Sequence, residues 1–335
     1  MNKKVLVTGC NGFTGRWLVP LLHERGFDVV GLERGSAAPL AAAAPAAPVT
    51  SSAGEIRRVL CDLNDAARLR EVVAGIAPTH VLHLAAISFV GHAGEEDFYR
   101  VNLFGTQNLL DVLEALPVPP EKVILASTAN IYGTPADGRA VLDESAPPAP
   151  VNHYAISKLA MEFMARTRFA RLPILITRPF NYTGPGQAEH FVIPKIVAHF
   201  RRRAPRIELG NINVSRDFSD VRDVARCYAA LLETGDTTGD TVGGDAAAGG
   251  GAAGGAPRPR IVNICSGTGT ALRDIIARLE HLAGYRIEVA VNPRFVRANE
   301  IPSLVGSNAA LRAATGGVVP QIPIGQTLAD MLAQG

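Results

Sequence analysis

Three glycines at fixed spacing near the start of the chain restrict its fold more than any other feature. Gly9, Gly12 and Gly15 follow the apolar run at residues 5–7 and open an amphipathic run at residues 15–25. Glycine at these places allows a tight turn, close approach of a ligand to the backbone, and close packing of a helix on a strand. The helix N-terminus then offers N–H groups and the positive end of its dipole to phosphate groups. The pattern predicts a strand–turn–helix unit that binds the pyrophosphate of a dinucleotide.

The rest of the N-terminal half alternates short apolar runs with longer amphipathic ones. The predicted strands lie at residues 29–32, 81–84, 123–126 and 174–177, and the predicted helices at residues 66–75, 98–116 and 154–171. Buried strands separated by helices indicate a parallel sheet covered on both faces. The expected fold class is α/β, a Rossmann-type doubly wound parallel sheet over residues 1–180. A smaller mixed α/β C-terminal substrate lobe follows over residues 181–335, with part of the chain returning to the Rossmann domain.

Two segments interrupt this alternation. Residues 36–54 are rich in alanine and proline, and residues 234–260 are rich in glycine and alanine. The second segment separates a predicted helix at 221–233 from a predicted strand at 261–264. Such compositions bury too little apolar surface to offset the entropy of ordering, so both segments are predicted to be flexible insertions.

The net charge, the hydropathy and the cysteines of the chain indicate which partners it binds and in which cellular compartment it resides. Lysine and arginine number 33 against 31 acidic residues, a net charge of +2 that does not suggest a nucleic-acid partner. The basic run at 201–203 is interpreted as a solvated helix face rather than a phosphate site. No apolar stretch approaches the roughly 20 residues of a membrane span. The four cysteines lie far apart without CxxC pairs, which predicts reduced thiols, no metal site and a cytoplasmic protein.

Two acidic residues, Glu33 and Asp62, bear on how the dinucleotide is bound. Glu33 ends the second strand 18 positions after Gly15, near the offset of about 20 expected for a carboxylate that binds ribose hydroxyls. This carboxylate favours NAD because it would repel a 2′-phosphate. Arg34 could instead pair with that phosphate, so NADP remains the alternative. Asp62 is positioned either to meet the adenine amino group or to cap the helix that begins at Ala66.

Tyr154 and Lys158 lie at i and i+4 of a predicted helix, so their side chains share one face. A phenol has a pKa of about 10, and a nearby ammonium favours the phenolate and lowers that pKa. Tyr154 is thus suited to exchange a proton with a sugar hydroxyl or carbonyl. Thr128, just after the predicted strand at 123–126, would be a second hydrogen-bond partner for the same oxygen, or else a residue that ends the strand.

Several motifs together resemble one superfamily. TGCNGFTG (8–15), HLAA (83–86), STANIYG (127–133) and YAISK (154–158) resemble the extended short-chain dehydrogenase/reductases. RPFNYTGPGQ (178–187), FVIPKIV (191–197), LGNINVSRDFSDVRDV (209–224), VNICSG (262–267) and PRFVRANE (293–300) are similar to one branch of it. That branch contains the GDP-4-keto-6-deoxy-D-mannose reductases and the GDP-mannose 4,6-dehydratases. The resemblance covers nearly the whole chain except the two insertions.

The resemblance implies roles for individual residues. The implied pyrophosphate, adenine and central dinucleotide contacts are Gly9, Asn11, Gly12, Phe13, Gly15, Asp62, Leu63, Ala85 and Ala86. The implied catalytic residues are Thr128, Tyr154 and Lys158, of which Tyr154 and Lys158 would also contact the cofactor. The implied contacts of a nucleotide-diphosphate sugar are Asn181, near the diphosphate, and Lys195, Leu209, Asn211, Arg216, Arg297 and Glu300 around the nucleoside. Cations suit a diphosphate, and a carboxylate suits the N–H edge of guanine.

One departure from the branch narrows the expected reaction. Its dehydratases carry an acidic residue, often a pair, directly after the catalytic threonine, whereas this chain has Ala129 and Asn130, which cannot transfer a proton. A hydride step at C4 remains: reduction of a 4-keto-6-deoxyhexose as the leading hypothesis, or epimerisation at C4 as the alternative. A third hypothesis is a non-catalytic protein that senses a dinucleotide. The presence of Thr128, Tyr154 and Lys158 together disfavours it. Relatives pair through two helices like those at 98–116 and 154–171, so a homodimer is expected.

Overall fold

A seven-stranded parallel sheet is the main element of this fold. The computed structural model describes residues 3–35, 56–135, 138–234, 260–296 and 300–334. The strands are β1 (Lys4–Thr8), β2 (Asp28–Glu33), β3 (Arg57–Leu60), β4 (His80–His83), β5 (Lys122–Ala126), β6 (Ile174–Pro179), β7 (Asn181–Thr183), β8 (Arg206–Leu209), β9 (Ser215–Asp220), β10 (Ile261–Ile264), β11 (Gly269–Ala271), β12 (Glu288–Val291) and β13 (Ser303–Leu304). The large sheet has the order β3-β2-β1-β4-β5-β6-β10. The predicted doubly wound α/β fold is confirmed, and β1 lies where the strand order reverses.

The helices fall largely where the sequence predicted them. They are α1 (Phe13–Glu24), α2 (Ala66–Ile76), α3 (Glu95–Phe98), α4 (Gly105–Glu114), α5 (His153–Arg166), α6 (Val192–Arg201), α7 (Val221–Glu233), α8 (Leu272–Ala283), α9 (Ala309–Thr315) and α10 (Ile324–Ala333). The helix predicted at 98–116 is α3 and α4 joined by a π-helical turn, Tyr99–Phe104. The helix predicted at 154–171 ends at Arg166. Turns follow it, and Arg168 forms ion pairs with Asp111 at 2.6 Å and Glu114 at 3.0 Å.

The chain divides into two compact units, each assembled from several segments. The first consists of Met1–Thr128, Asn152–Arg178 and Tyr228–Val262, and the second of Ala129–Val151, Pro179–Cys227 and Asn263–Gly335. The division therefore differs from a boundary at residue 180. The segment 129–151 lies in the second unit because the Leu142 backbone bonds to Val305 and accepts from Asn263. Residues 36–54 and nearly all of 234–260 fall outside the described residues.

Apolar strand residues build the core of the first unit. Leu6, Val81, Val123 and Ile176 are fully buried among side chains of α2, α4 and α5. Burying one such side chain contributes about 1.5–3 kcal/mol. This packing holds the carboxyl ends of β1, β2, β4 and β5 at one edge of the sheet, which is the edge where α/β proteins bind ligands.

The second unit is a smaller mixed α/β structure, as predicted. Its strand β9 pairs with β7 and β13 in parallel and with β11 in antiparallel orientation, while β8 and β12 form a separate parallel pair. Side chains of α6, α8 and α10 form its core with β8. None of the described helices is long and apolar enough to cross a lipid bilayer.

Candidate active site

The turn between β1 and α1 leaves no room for a side chain at its glycines. A Cβ on Gly9, whose φ is +71°, would lie 2.8 Å from the Ala85 backbone nitrogen. A Cβ on Gly15 would lie 2.4 Å from the carbonyl oxygens of Gly9 and Cys10. Helix α1 begins at Phe13, and Gly12 at its N-cap forms no side-chain capping bond. The bare backbone and the helix dipole fit a pyrophosphate, so these residues suit a dinucleotide cofactor.

At the end of β2, Glu33 forms an ion pair with a residue that the sequence analysis did not identify. Its Oε1 accepts a hydrogen bond of 2.8 Å from Arg58 Nη1 on β3, and both side chains are only 14% exposed. Arg34 is exposed. Glu33 is therefore bonded to Arg58 on the neighbouring strand and is followed in the chain by the exposed Arg34. Arg58 was missed because only the β2–β3 register, which pairs Gly31 with Arg58, brings it beside Glu33.

Asp62 does not cap α2, so that alternative is wrong. Asp65 occupies the N-cap and accepts a bond of 3.0 Å from the Arg68 N–H. Asp62 Oδ1 instead accepts from the Asn64 backbone N–H at 2.8 Å and from the Asn64 amide at 3.0 Å. Leu63 beside it is buried, with its carbonyl bonded to Asn108.

A buried histidine fixes the edge of β4 next to the glycine turn. His83 Nδ1 lies 2.7 Å from Thr8 Oγ1 and its Nε2 lies 2.8 Å from Thr106 Oγ1. Thr8 Oγ1 also accepts a bond of 3.2 Å from the backbone N–H of Ala85, which precedes Ala86. Burial, assisted by the charge of Lys158, lowers the pKa of His83 to about 3. His83 is therefore neutral and serves as a fixed support.

Tyr154 and Lys158 lie on the buried face of α5 and are 8% and 2% exposed. Lys158 Nζ donates a hydrogen bond of 2.7 Å to the carbonyl of Ala126 at the end of β5. Burial lowers the pKa of Lys158 to about 8, while Glu162 acts in the opposite direction. Thr128, two residues after Ala126, is 4% exposed. The phenol, the ammonium and the hydroxyl are thus on elements that meet at the carboxyl edge of the sheet.

A buried asparagine from the π-helical turn supports this helix. Asn102 Nδ2 donates 3.1 Å bonds to Ser157 Oγ and to the Ile87 carbonyl, and its Oδ1 accepts from the Ile87 N–H at 2.9 Å. Ser157 Oγ in turn donates to the Tyr154 carbonyl at 2.8 Å. The π-turn places Asn102 inward, which a regular helical pattern does not predict. Asn102 therefore holds the start of α5, and so Tyr154, in place.

The two residues directly after Thr128 in the chain are not acidic. Ala129 is fully buried in the 3₁₀ turn Ala129–Tyr132, and Asn130 follows it. Ser127 Oγ is buried and has no hydrogen-bonding partner within the described parts of the chain. A bound ligand could satisfy this hydroxyl, which further fits the site to a cofactor.

In the second unit, some of the predicted nucleoside-binding residues come together. Lys195 Nζ donates a 2.7 Å bond to the Glu208 carbonyl and lies 4.5 Å from the centre of the Phe295 ring. Gly210 packs so closely that an added Cβ would lie 2.4 Å from the Phe295 carbonyl, and Leu209 before it is buried in the core of the second unit. Phe295 is 49% exposed and was not predicted as a site residue.

The other predicted substrate residues are more dispersed. Asn211 accepts from the Asn213 N–H in the loop after β8. Asn181 on β7 pairs with Phe218 of β9, two residues from Arg216, whose Nη1 donates to the Ser215 carbonyl at 2.7 Å. Glu300 is partly buried, and Arg297 lies outside the described residues.

The four cysteines are free and buried. Burial raises the pKa of both Cys10 and Cys61 to about 11, so these thiols stay protonated near neutral pH. Cys10 fills the space above Gly31, where a Cβ would lie 2.6 Å from its sulfur. Their role is to pack the fold.

Comparison with known proteins agrees with this geometry. Residues 5–243 match the NAD dependent epimerase/dehydratase family. The chain is 32% identical to a GDP-6-deoxy-D-talose 4-dehydrogenase of Aggregatibacter actinomycetemcomitans, covering 90% of this chain and 88% of that protein. It is 34% identical to a GDP-6-deoxy-D-mannose reductase of Pseudomonas aeruginosa, over 76% and 79% of the two chains.

Two solved structures resemble the whole chain. A protein from Burkholderia cenocepacia J2315 is 42% identical with a TM-score of 0.81, covering 99% of this chain and 97% of its own. RMD from Pseudomonas aeruginosa complexed with NADPH is 29% identical with a TM-score of 0.74, with the same coverage of 99% and 97%.

Proposed function

The chain belongs to the NAD dependent epimerase/dehydratase family, and from this premise we propose that it reduces a GDP-linked 4-keto-6-deoxyhexose at C4. The observation that carries the proposal is the buried phenol–ammonium pair on α5, with Lys158 bonded to the end of β5 and no acidic residue at 129 or 130. Two relatives are named for GDP-6-deoxyhexose oxidation or reduction, which supports guanine over thymine as the nucleobase.

The proposed mechanism uses the chain's own residues to handle the proton and the developing charge. A bound nicotinamide supplies the hydride that C4 accepts. Tyr154 donates its phenolic proton to the sugar oxygen, and Thr128 donates a hydrogen bond to that oxygen while its negative charge develops. Lys158 keeps the phenol acidic enough to give up the proton. Glycines 9, 12 and 15 with Asn11 and Phe13 would hold the pyrophosphate, Asp62 and Leu63 the adenine, and Ala85 and Ala86 the centre of the dinucleotide.

The proposed nucleotide-binding residues of the second unit are Asn181, Lys195, Leu209, Asn211, Arg216, Arg297 and Glu300. To these we add Phe295, because its half-exposed ring beside Lys195 offers a stacking surface to a base. A screen of the purified protein against GDP- and dTDP-linked 4-keto-6-deoxyhexoses, with nicotinamide absorbance as the readout, tests the substrate class. Oxidation of the reduced cofactor only with the dTDP sugars would contradict the choice of guanine.

Epimerisation at C4 is the second candidate, because it uses the same residues. Glu33 favours binding of NAD, and an epimerase works with a tightly held oxidised cofactor. An epimerase holds its cofactor and turns over without added NAD(P)H, whereas a reductase stops after one equivalent. Measuring product per enzyme without added cofactor therefore distinguishes the two. Multiple turnovers under these conditions would exclude the reductase.

We further infer a preference for NAD, with NADP as the alternative, from the Glu33 carboxylate. Glu33→Gln removes the negative charge and leaves Arg34 and Arg58 to meet a 2′-phosphate. The preference for NADPH over NADH, measured as the ratio of kcat/KM values, is expected to rise about tenfold to a hundredfold. Glu24→Gln, at an exposed carboxylate on α1, is the control. An unchanged ratio in Glu33→Gln would show that Glu33 does not contact the ribose.

A homodimer is also proposed. Phe104, at the end of the π-helical turn, and Phe163, on α5, are each 53% exposed, and Ile156 is 38% exposed. Such apolar side chains on neighbouring helices suit a symmetric helix–helix interface. We place the enzyme in the cytoplasm because all four thiols are unpaired.

Phe163→Asp is expected to convert the dimer to a monomer, because it would place two carboxylates in an apolar interface. Light scattering after gel filtration at micromolar concentration measures the mass. Val118→Asp changes a side chain that is 79% exposed elsewhere and should leave the mass unchanged. A wild-type protein that is already monomeric would refute the dimer.

A further inference from the structure

A buried ion pair lies one helical turn beyond Lys158. Glu162 is fully buried and Arg178 is 2% exposed. Arg178 Nε donates to Glu162 Oε1 at 3.0 Å and its Nη2 donates to Oε2 at 2.7 Å, a bidentate contact between α5 and the end of β6. Apolar residues of equal volume would join a helix to a strand at least as well. The charges therefore call for a role beyond packing.

The position of this pair suggests the role. Tyr154, Lys158 and Glu162 follow each other at intervals of four residues, so all three lie on the buried face of α5. We propose that Glu162 is a positioning residue for Lys158: its carboxylate, fixed by Arg178, keeps the lysine protonated inside the protein and so keeps Tyr154 ready to exchange a proton. This inference rests on the proposed function of Tyr154 and Lys158.

Other groups around Lys158 do not provide this negative charge. His83, from β4, is neutral. From the π-helical turn and α4, the buried polar side chains are Asn102 and Thr106, which are uncharged. Two arginines also lie near this site: Arg178 is paired with Glu162, and Arg166 lies 3.7 Å from the same carboxylate.

Most acids of the neighbouring helices contact other groups, and Glu96 on α3 is exposed. On α3, Glu95 lies 3.2 Å from His153, and Asp97 pairs with Arg100 and His92. On α4, Asp111 and Glu114 pair with Arg168. Within the described residues, Glu162 is thus the carboxylate that opposes the effect of burial on the pKa of Lys158.

Two substitutions should move the titration of this site in opposite directions. Glu162→Gln removes the negative charge at nearly constant shape, so Lys158 loses its proton at lower pH and the alkaline limit of turnover falls by about one pH unit or more. Arg166→Gln removes a partly buried cation beside Glu162, so the limit should rise by about a few tenths of a unit. A role limited to packing predicts no such reversal of sign.

A double variant separates charge from structure. Glu162→Gln with Arg178→Gln removes both charges together, so the net charge near Lys158 is restored and the alkaline limit should return most of the way to the wild-type value. If the pair served only to attach α5 to β6, the alkaline limits of Glu162→Gln and of the double variant would both stay at the wild-type value. Thermal unfolding followed by circular dichroism shows which variants are folded, and Arg166→Gln decides the question should Glu162→Gln not fold.

A second readout needs no substrate. Phenolate absorbance of each variant, minus that of the same variant carrying Tyr154→Phe, isolates the ionisation of Tyr154 in the free protein. We expect Glu162→Gln to move this ionisation to higher pH and Arg166→Gln to move it to lower pH. Identical titrations in both variants would overturn the role of Glu162. A wild-type protein inactive on every nucleotide sugar would instead defeat the proposed function, while the absorbance titration still decides the role of Glu162.

Discussion

Tyr154→Phe is expected to lower kcat by about a hundredfold to ten-thousandfold, while the affinity for the dinucleotide stays nearly unchanged. The substitution removes only the hydroxyl that would donate the proton, and the ring keeps its packing against Phe98, 6.1 Å away between ring centres. Such a loss corresponds to about 3–5 kcal/mol of transition-state stabilisation. The measurement is the initial rate of nicotinamide absorbance change at saturating cofactor.

The matched control for this variant is Tyr285→Phe. The Tyr285 hydroxyl lies in the second unit and makes only long hydrogen bonds, of 3.3 to 3.5 Å, to three backbone carbonyls. Its loss should leave kcat within about a factor of two, because such bonds contribute little. If Tyr154→Phe retained the full rate, Tyr154 would not be the proton donor, and both the reductase and the epimerase proposals would fail together.

The second large effect is expected at the glycine turn. Gly15→Ala would bring a methyl group within 2.4 Å of two carbonyl oxygens, so the backbone of the turn must move. Moving it displaces the N–H groups of α1 that would face the pyrophosphate. The dinucleotide Kd is therefore expected to rise at least tenfold to a hundredfold, or about 1.4–2.7 kcal/mol, with a stability loss of about 1–3 kcal/mol.

The chain carries a convenient probe for this experiment. Its single tryptophan, Trp17, lies in α1 two residues after Gly15, so cofactor binding can be followed by tryptophan fluorescence. Gly75→Ala is the control, since Gly75 is helical and a Cβ there meets nothing within 4 Å. That change should leave Kd unaltered and stabilise α2 by about 0.5–1 kcal/mol. Unchanged binding in Gly15→Ala would mean that the turn does not hold the pyrophosphate.

The elements of the fold were predictable where one physical pattern dominates. The strand at 261–264, a mostly apolar run, and the helix at 221–233, an amphipathic run, have the predicted bounds. The π-helical turn was not predictable, because it depends on the tertiary contacts of Asn102 rather than on a local pattern. The sequence offered Asp62 as a possible cap of α2, and the observed backbone geometry places Asp65 there instead.

Polar partners were the least predictable part of the site. Tyr154 and Lys158 follow from their spacing, but Arg58, Arg178 and Phe295 come from other elements. Their positions depend on strand register and on packing between distant segments, which no spacing in the sequence encodes. Glu162 could be placed on the face of Lys158 from the sequence, yet its pairing with Arg178 could not.

The position of β10 has a consequence for how the chain acquires its structure during synthesis. The outermost strand beside β6 comes from residues beyond 260, and the Ile176 N–H donates a 2.8 Å bond to the Arg260 carbonyl. A nascent chain that has emerged only to residue 230 has an open sheet edge at β6 and cannot yet close it. Such an edge can pair with other chains. The edge of β6 is therefore covered only after the residues of β10 have emerged from the ribosome.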